Sequence, residues 1–470
     1  MIHSYKYCLE KTSEIGVVTW SSETIVHVSG LSNAVIGEGI TFENEDHGRV
    51  MAINKDKIEV LVLSRTAIKP GTKAARSGSP ITISAGEGLL GHVINVMGHS
   101  ITDRRQKSHP PEKRSIETSP SGILARSRIS RFFETGVAIC DVLMPLGCGQ
   151  RELVIGDRQS GKSHFLLQTM LSQVRQGNIC IYCAIGKRTT EIKSIEAFLE
   201  KEKILDKTIV VAADSYSSPG EIFLAPYAAM TLAEYFRDKE KDVFLILDDL
   251  TTHAKYYREI SLLSGHFPGR ESYPGDIFHI HSRLLERAGS FKDGKETSIT
   301  CLPVAESVGG DFTGYIQTNL MSMTDGHLYF DSDLYFQGRR PPINIYLSVT
   351  RVGRQTQPSI LRDVGFQLVK FLKSYTDMQR FLRFEMELSE EIRETLRKGG
   401  ELTTFFDQVG STLIPMKLQV YCIALIWKNK YDDNKIDDLI KKYKENKAWA
   451  KEVDKLFEIA KTLKEMVAKI

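Results

Sequence analysis

The sequence predicts a multidomain chain: a small N-terminal β-barrel, a central α/β domain on a parallel sheet, and an all-α C-terminal domain. Three observations carry this reading. Short β-rich runs separated by turn residues fill the N-terminal part, apolar strands alternate with helical segments through the middle, and only helical periodicity remains after Val349. The boundaries expected from these changes of pattern are 1–73, 74–357 and 358–470. A chain of 470 residues is long enough for roughly two to four domains. Its hydrophobic content of 41% and charged content of 26% place it among ordinary globular proteins rather than disordered or fibrous ones.

In the first part, the runs 16–20, 24–28 and 57–63 are rich in Val, Ile, Thr and Trp and are broken by Gly30, Asn44 and Gly48. Closely spaced strands with turns between them predict a closed barrel ending near Pro70 and Gly71. A second apolar stretch, 86–96, leads into the basic segment 103–111, whose paired prolines and lack of periodicity predict a surface loop rather than a phosphate-binding patch. In the middle part, continuous apolar runs at 179–185, 208–212, 242–247, 298–302 and 343–349 are separated by helical segments. Such runs belong to parallel sheets covered on both faces, and ligands bind at the carboxyl ends of their strands. In the last part, Ile392, Leu396, Ile436, Leu439, Ile440 and Tyr443 recur at helical spacing. Val453, Leu456, Phe457, Ala460, Leu463 and Val467 form a final stripe opposite lysines. Acids interspersed with those lysines favour a packed helix with a solvated face over a membrane-surface helix.

The chain is organised around Gly156-Asp157-Arg158-Gln159-Ser160-Gly161-Lys162-Ser163, between the apolar run 152–155 and Phe165-Leu166-Leu167. Strand, tight glycine turn and helix in that order form a P-loop. The glycines let several backbone N–H groups face phosphate oxygens, and the helix N-terminus adds a favourable dipole. Lys162 is expected to reach the terminal phosphates and the Ser163 hydroxyl to ligate magnesium. The expected ligand is therefore ATP or ADP with Mg2+. The full GxxxxGKS pattern in this context outweighs a glycine turn that binds nothing. Asp248 ends an apolar strand after the P-loop, where a carboxylate is placed to hold magnesium through its water shell.

A net charge of +3 gives no electrostatic case for nucleic acid as a partner. The chain contains no run of about eighteen apolar residues that could span a membrane. Residues 1–6 have neither the apolar core of a signal peptide nor the look of a transit peptide, which points to the cytoplasm. Seven cysteines are scattered singly and form no disulfide framework. Cys180 and Cys183, three apart within an expected strand, point to opposite faces and are read as structural thiols.

Three long strings resemble the alpha subunit of F-type ATP synthases: 149–163 around the P-loop, 268–287, and Pro341-Pro342-Ile343-Asn344-Ile345-Tyr346-Leu347-Ser348-Val349-Thr350-Arg351-Val352-Gly353. The likeness runs in order from about Gly16 to about Trp427. It implies a RecA-like central domain and beta-like catalytic subunits alternating with this chain in a three-plus-three hexamer around a gamma-like rotor shaft. That complex would touch the inner face of a membrane only indirectly. The resemblance also implies that Arg351 is an arginine finger acting in trans, and that Tyr335, Arg340, Pro341 and Gln408 border the adenine. A second glutamine expected two residues after Gln408 is Gly410, which bears on base affinity.

The catalytic beta subunits of this family carry a water-orienting glutamate after a strand-end glycine. Here Lys187 follows Gly186. A lysine cannot act as that general base, so the chain is expected to bind nucleotide without turning it over. Glu191 falls where the beta pattern has a further glutamate, but general-base geometry tolerates little displacement. The family's stalk-docking N-terminal extension is expected to be missing, and the acidic string 385–391 resembles the rotor-touching lever of beta subunits as much as a solvated helix face. One alternative is an alpha-like subunit of a specialised motor coupled to surface motility or surface-protein processing. A Rho-type hexameric nucleic-acid translocase is opposed by Lys187 and the near-neutral charge. A structural subunit with an empty site is opposed by Lys162, Ser163 and Asp248.

Overall fold

The computed structural model describes residues 4–102, 112–292, 295–381, 389–432 and 435–470. The basic segment 103–111 and most of the acidic string 385–391 lie outside them. The chain divides into two compact units. One joins the N-terminal part through Arg128 with Gly177–Ser307 and Asp311–Thr324, and the other joins Ile129–Gln176, Val308–Gly310 and Asp325–Ile470.

The first unit opens with a helix, Tyr5–Thr12, capped by the Ser4 side chain. Six strands then close a barrel: Gly16–Ser21, Ile25–Ser29, Glu38–Phe42, His47–Ile53, Ile58–Val62 and Lys73–Pro80. Every pairing is antiparallel, and the first strand meets the sixth at Gly16 and Ala74. Alternate residues point inward, so Val26, Val28, Ile40, Phe42, Val50, Val60 and Val62 fill the interior. Gly48 is required by closeness: a Cβ there would lie 2.4 Å from Val60 Cγ1. The sixth strand runs to Pro80.

In the same unit, strands Thr297–Glu306, Val243–Asp248, Ile179–Lys187, Thr208–Asp214 and His92–Ile94 lie side by side in parallel, with Gly289–Phe291 antiparallel on the first. Their apolar residues are buried, which is why they read as continuous runs rather than alternations. Helix Pro219–Asp238 starts with a Ser218–Glu221 capping box and a proline in its first turn. Helix Leu250–Leu263 is capped by Asp249, which accepts from Thr252 N–H. Cys180 and Cys183 are both buried and form no disulfide among the described residues.

In the second unit, Leu153–Gly156 pairs in parallel with Gly326–Phe330, on whose other side Val349–Thr350 runs antiparallel. The expected strand over 343–349 is thereby corrected: only Ile343 bridges to Phe330 before the chain turns. Asn344 Oδ1 accepts from Tyr346 and Leu347 N–H, an Asx-type turn that overrides the β propensity of its neighbours. Helices Lys162–Arg175, Ser359–Phe381, Glu390–Phe406, Met416–Trp427, Ile436–Glu445, Lys447–Ile459 and Leu463–Lys469 make up most of the rest. The final stripe belongs to two helices, because the chain breaks at Ala460 and Thr462 caps the last one. Of its members Val453, Phe457, Ala460 and Leu463 are buried, while in the last helix Met466 is buried in place of the half-buried Val467.

Candidate functional site

The P-loop belongs to the second unit. Its strand is buried along its whole length, and a Cβ on Gly156 would fall 2.4 Å from the Phe330 carbonyl oxygen. Gln159 and Gly161 both take positive φ, +60° and +87°, which turns the chain tightly into helix Lys162–Arg175. Ser160 Oγ donates to the Asp157 carbonyl at 2.8 Å and holds the loop closed. Lys162 Nζ donates to the carbonyls of Gly156 at 2.6 Å and Asp157 at 2.5 Å, so the loop's cation lies against its own backbone. The Asp157 carboxylate accepts from Gly310 N–H, at 2.9 Å to Oδ2, and from Ser332 Oγ at 3.0 Å. It anchors the loop, leaving the backbone to face a phosphate. Arg158, Gln159 and Ser163 are exposed.

Residues 335–342 lie beside this loop. The nearest neighbours of a Cβ on Gly161 would be Pro342 Cδ at 3.5 Å and the Tyr335 ring at 3.7 Å. The Arg340 guanidinium stacks over the Tyr335 ring at 3.7 Å and donates to the carbonyls of Tyr335 and Arg339. Pro341 is buried. Gln408 is buried too, and its amide N–H groups donate to the carbonyls of Gly136 and Thr412 while its oxygen accepts from Ala138 N–H. Its backbone N–H reaches the Arg340 carbonyl at 2.6 Å. Gln168 donates to the Gly410 carbonyl, tying the P-loop helix to the 408–410 turn. The sequence does not single out Ser332 or Gly310, which reach Asp157 from distant chain segments without a signature of their own, nor Gln168, whose partner Gly410 is far along the chain.

In the first unit, the ends of two adjacent strands bring Lys187 and Asp248 together. Ala184 pairs with Asp248 in register, and the ladder with Thr208–Asp214 slips between Ile185 and Lys187. That bulge re-aims the lysine. Gly186 permits it: φ is +64° and a Cβ would lie 2.8 Å from Thr252 Cγ2. Lys187 Nζ sits 2.9 Å from Asp248 Oδ1, with the side chains 17% and 3% exposed. Tyr182 Oη donates to Asp248 Oδ2 at 2.5 Å. Burial opposes the charge on Lys187, but Asp248 and Asp249 outweigh it and hold its pKa up at about 12. Burial and the neighbouring Asp248 push the Asp249 carboxyl up to about 6. Tyr182 was invisible beforehand because it reads simply as one more apolar strand residue.

Arg351 follows strand Val349–Thr350, and its N–H donates to the Asp325 carbonyl at 3.0 Å. Its side chain is exposed and joins no ion pair among the described residues. The glycine two residues on is sterically forced, since a Cβ on Gly353 would be 1.6 Å from the Pro145 carbonyl oxygen.

Among the described residues no group of three His, Cys, Asp or Glu side chains could hold a metal by itself. The exposed Ser163 hydroxyl fits a magnesium ion that keeps phosphate oxygens and waters as its other ligands. Asp248 fits less well, because one of its oxygens already receives an ammonium and the other a phenol.

The chain matches two family models: the ATP synthase alpha/beta family, nucleotide-binding domain, over residues 136–350, and the ATP synthase alpha/beta chain, C terminal domain, over residues 357–468. It is 40% identical over 413 residues to the ATP synthase subunit alpha of a Sulfurovum species, covering 87% of this chain and 82% of that one. It is 37% identical over 440 residues to the ATP synthase subunit alpha of Caldanaerobacter subterraneus subsp. tengcongensis, covering 93% and 87%.

Proposed function

Because the chain belongs to the ATP synthase alpha/beta family and stands among its alpha subunits, we propose that it binds a nucleotide without hydrolysing it and completes the catalytic site of a neighbouring beta-type subunit. The observation that carries this reading is the Lys187–Asp248 pair. A hydrolytic subunit needs a carboxylate to orient water, whereas this strand end offers a charged ammonium held by an acid.

Phosphates would be gripped by the backbone N–H groups of 156–163, with Lys162 as the cation. Tyr335, stacked under Arg340, supports the base side, and Gln408 acts by holding the backbone of Arg340 rather than by touching the base. A magnesium ion, when bound with the nucleotide, neutralises phosphate charge and would be held on the protein side by Ser163. Exposed and in no ion pair among the described residues, Arg351 is suited to reach a phosphoryl group on the next subunit, within an alternating hexamer around a rotor shaft. No helix among the described residues is long and apolar enough to cross a membrane. The likeness to alpha subunits over most of the chain supports this reading over the translocase alternative.

Nucleotide binding and ATPase activity of the full chain, alone and co-expressed with a beta-type partner, test the proposal. The chain alone should bind ATP without turnover, and the assembled complex should hydrolyse it. Turnover by the chain alone would contradict the proposal.

A further inference from the structure

The turn that carries Arg351 is braced by residues just before the P-loop strand, and all of them belong to the second unit. Arg151 takes one side. Its N–H and guanidinium donate to the Asp325 carboxylate at 2.9–3.1 Å, and the Asp325 carbonyl accepts from Arg351 N–H at 3.0 Å. Gln150, fully buried, takes the other. Its Oε1 accepts from Gly147 N–H at 2.8 Å, and its Nε2 donates to Glu152 Oε2 at 2.7 Å and to Thr350 Oγ1 at 3.3 Å. The Thr350 hydroxyl donates in turn to the Pro145 carbonyl at 2.9 Å and accepts from Gly353 N–H at 3.2 Å. Residues 350 and 353, on either side of Arg351 and Val352, are thus closed on one hydroxyl, and the Gln150 donor helps to set its direction. Glu152 is the costly part of this arrangement. It is fully buried, and its Oε1 has no hydrogen-bond partner among the described residues. Burial pushes the carboxyl well above the usual carboxylate range, although the Gln150 N–H and the Arg351 charge pull it down. A Cβ on Gly326 would lie 2.7 Å from both its oxygens, so that glycine gives it room. A buried acid engaged through one oxygen costs stability, and what it secures is the Gln150 amide.

We infer that Gln150, oriented by Glu152, is a positioning residue for Arg351: it holds the Thr350 hydroxyl that closes the turn from which the arginine projects. Gln150 acts through that turn and not on a nucleotide. The inference rests on the reading of Arg351 as a finger acting in trans. It goes further by naming what aims the finger.

The test is a double-mutant cycle on the ATPase of the complex co-assembled with a beta-type partner, with kcat and KM read at equal amounts of assembled complex. Gln150→Met keeps the length of the side chain and removes its hydrogen bonds. It should lower kcat about 10–100-fold, as a misplaced catalytic group does. KM should stay within about threefold of wild type, because the lost interaction belongs to the transition state. Glu152→Gln still offers Gln150 an acceptor oxygen and should keep kcat within about threefold of wild type. On the Arg351→Ala background, Gln150→Met should change kcat by no more than about twofold, since no finger is left to aim. A merely structural glutamine would act independently of Arg351, and its loss would multiply with that of Arg351→Ala. Such multiplication, or wild-type kcat in Gln150→Met where Arg351→Ala loses it, overturns the inference. A loss in Glu152→Gln as large as in Gln150→Met overturns the part given to the acid as acceptor. Unchanged turnover in Arg351→Ala overturns instead the trans-finger reading beneath it. Should Gln150→Met not assemble, Gln150→Glu, which keeps the acceptor for Gly147 and lacks the amide N–H groups, is carried through the same cycle with the same two outcomes.

Discussion

Acidification should destabilise the first unit through a buried histidine pair. His253 Nε2 lies 3.0 Å from the Phe223 carbonyl, which can only accept, so Nε2 carries the proton. Nδ1 is then the acceptor and takes a hydrogen bond from His281 Nε2 at 3.0 Å. Both rings are buried, and Phe223 stacks on His253 at 5.3 Å. Charging His253 would set two N–H groups against each other in an apolar setting. Burial therefore pushes its pKa down to about 4, against about 6.5 in an unfolded chain. Between those values the unfolded chain binds more protons than the folded one. The contribution is complete above pH 6.5 and is lost as pH falls toward 4. Worked at pH 5, the difference is about 2 kcal/mol for His253 alone. The assay is urea denaturation at about pH 7.5 and pH 5 of wild type and His253→Gln, whose amide can still donate to the Phe223 carbonyl but does not titrate. The acid-induced loss should be about 2 kcal/mol smaller in the variant. An equal loss in both proteins would refute the tautomer assignment and the reasoning built on it.

Arg287 is 1% exposed and donates to both oxygens of Glu234, to Thr231 Oγ1 and to the Ile116 carbonyl. Arg287→Met should cost about 3–5 kcal/mol in urea denaturation by stranding a buried carboxylate, and adding Glu234→Met should recover part of the loss. Lys162→Ala removes the loop's cation and should weaken ATP binding about 10–100-fold by equilibrium dialysis, with an unchanged circular dichroism spectrum.

How much of this was legible in the sequence differs from element to element. The P-loop and the parallel strands were plain, since apolar runs such as 179–185 and 242–247 have no partner but a covered sheet. The sixth barrel strand was not, because Lys-Ala-Ala-Arg-Ser-Gly-Ser-Pro contains no β-branched or aromatic residue. It is held by ladder bonds and by Glu38 on the neighbouring strand, which accepts from Arg76 Nε and Gly78 N–H. The run 343–349 had the right composition for a strand and lost to one asparagine side chain. The break in the C-terminal stripe did carry a signal, Thr462 three residues before Glu465, whose N–H the threonine oxygen accepts. At the site, the identity of Lys187 was readable, whereas its partner depended on the register between two strands far apart in sequence. Gln408 matched a motif position, yet its amide is spent on its own backbone surroundings.

The central claim is that this chain contributes to hydrolysis in a neighbour's site rather than in its own. The most direct test is the ATPase rate of the complex co-assembled with a beta-type partner, carrying either the wild-type chain or Arg351→Ala. The account predicts a fall of about 10³-fold or more in the variant complex, with assembly and ATP binding by this chain intact. Unchanged turnover in the Arg351→Ala complex would contradict it.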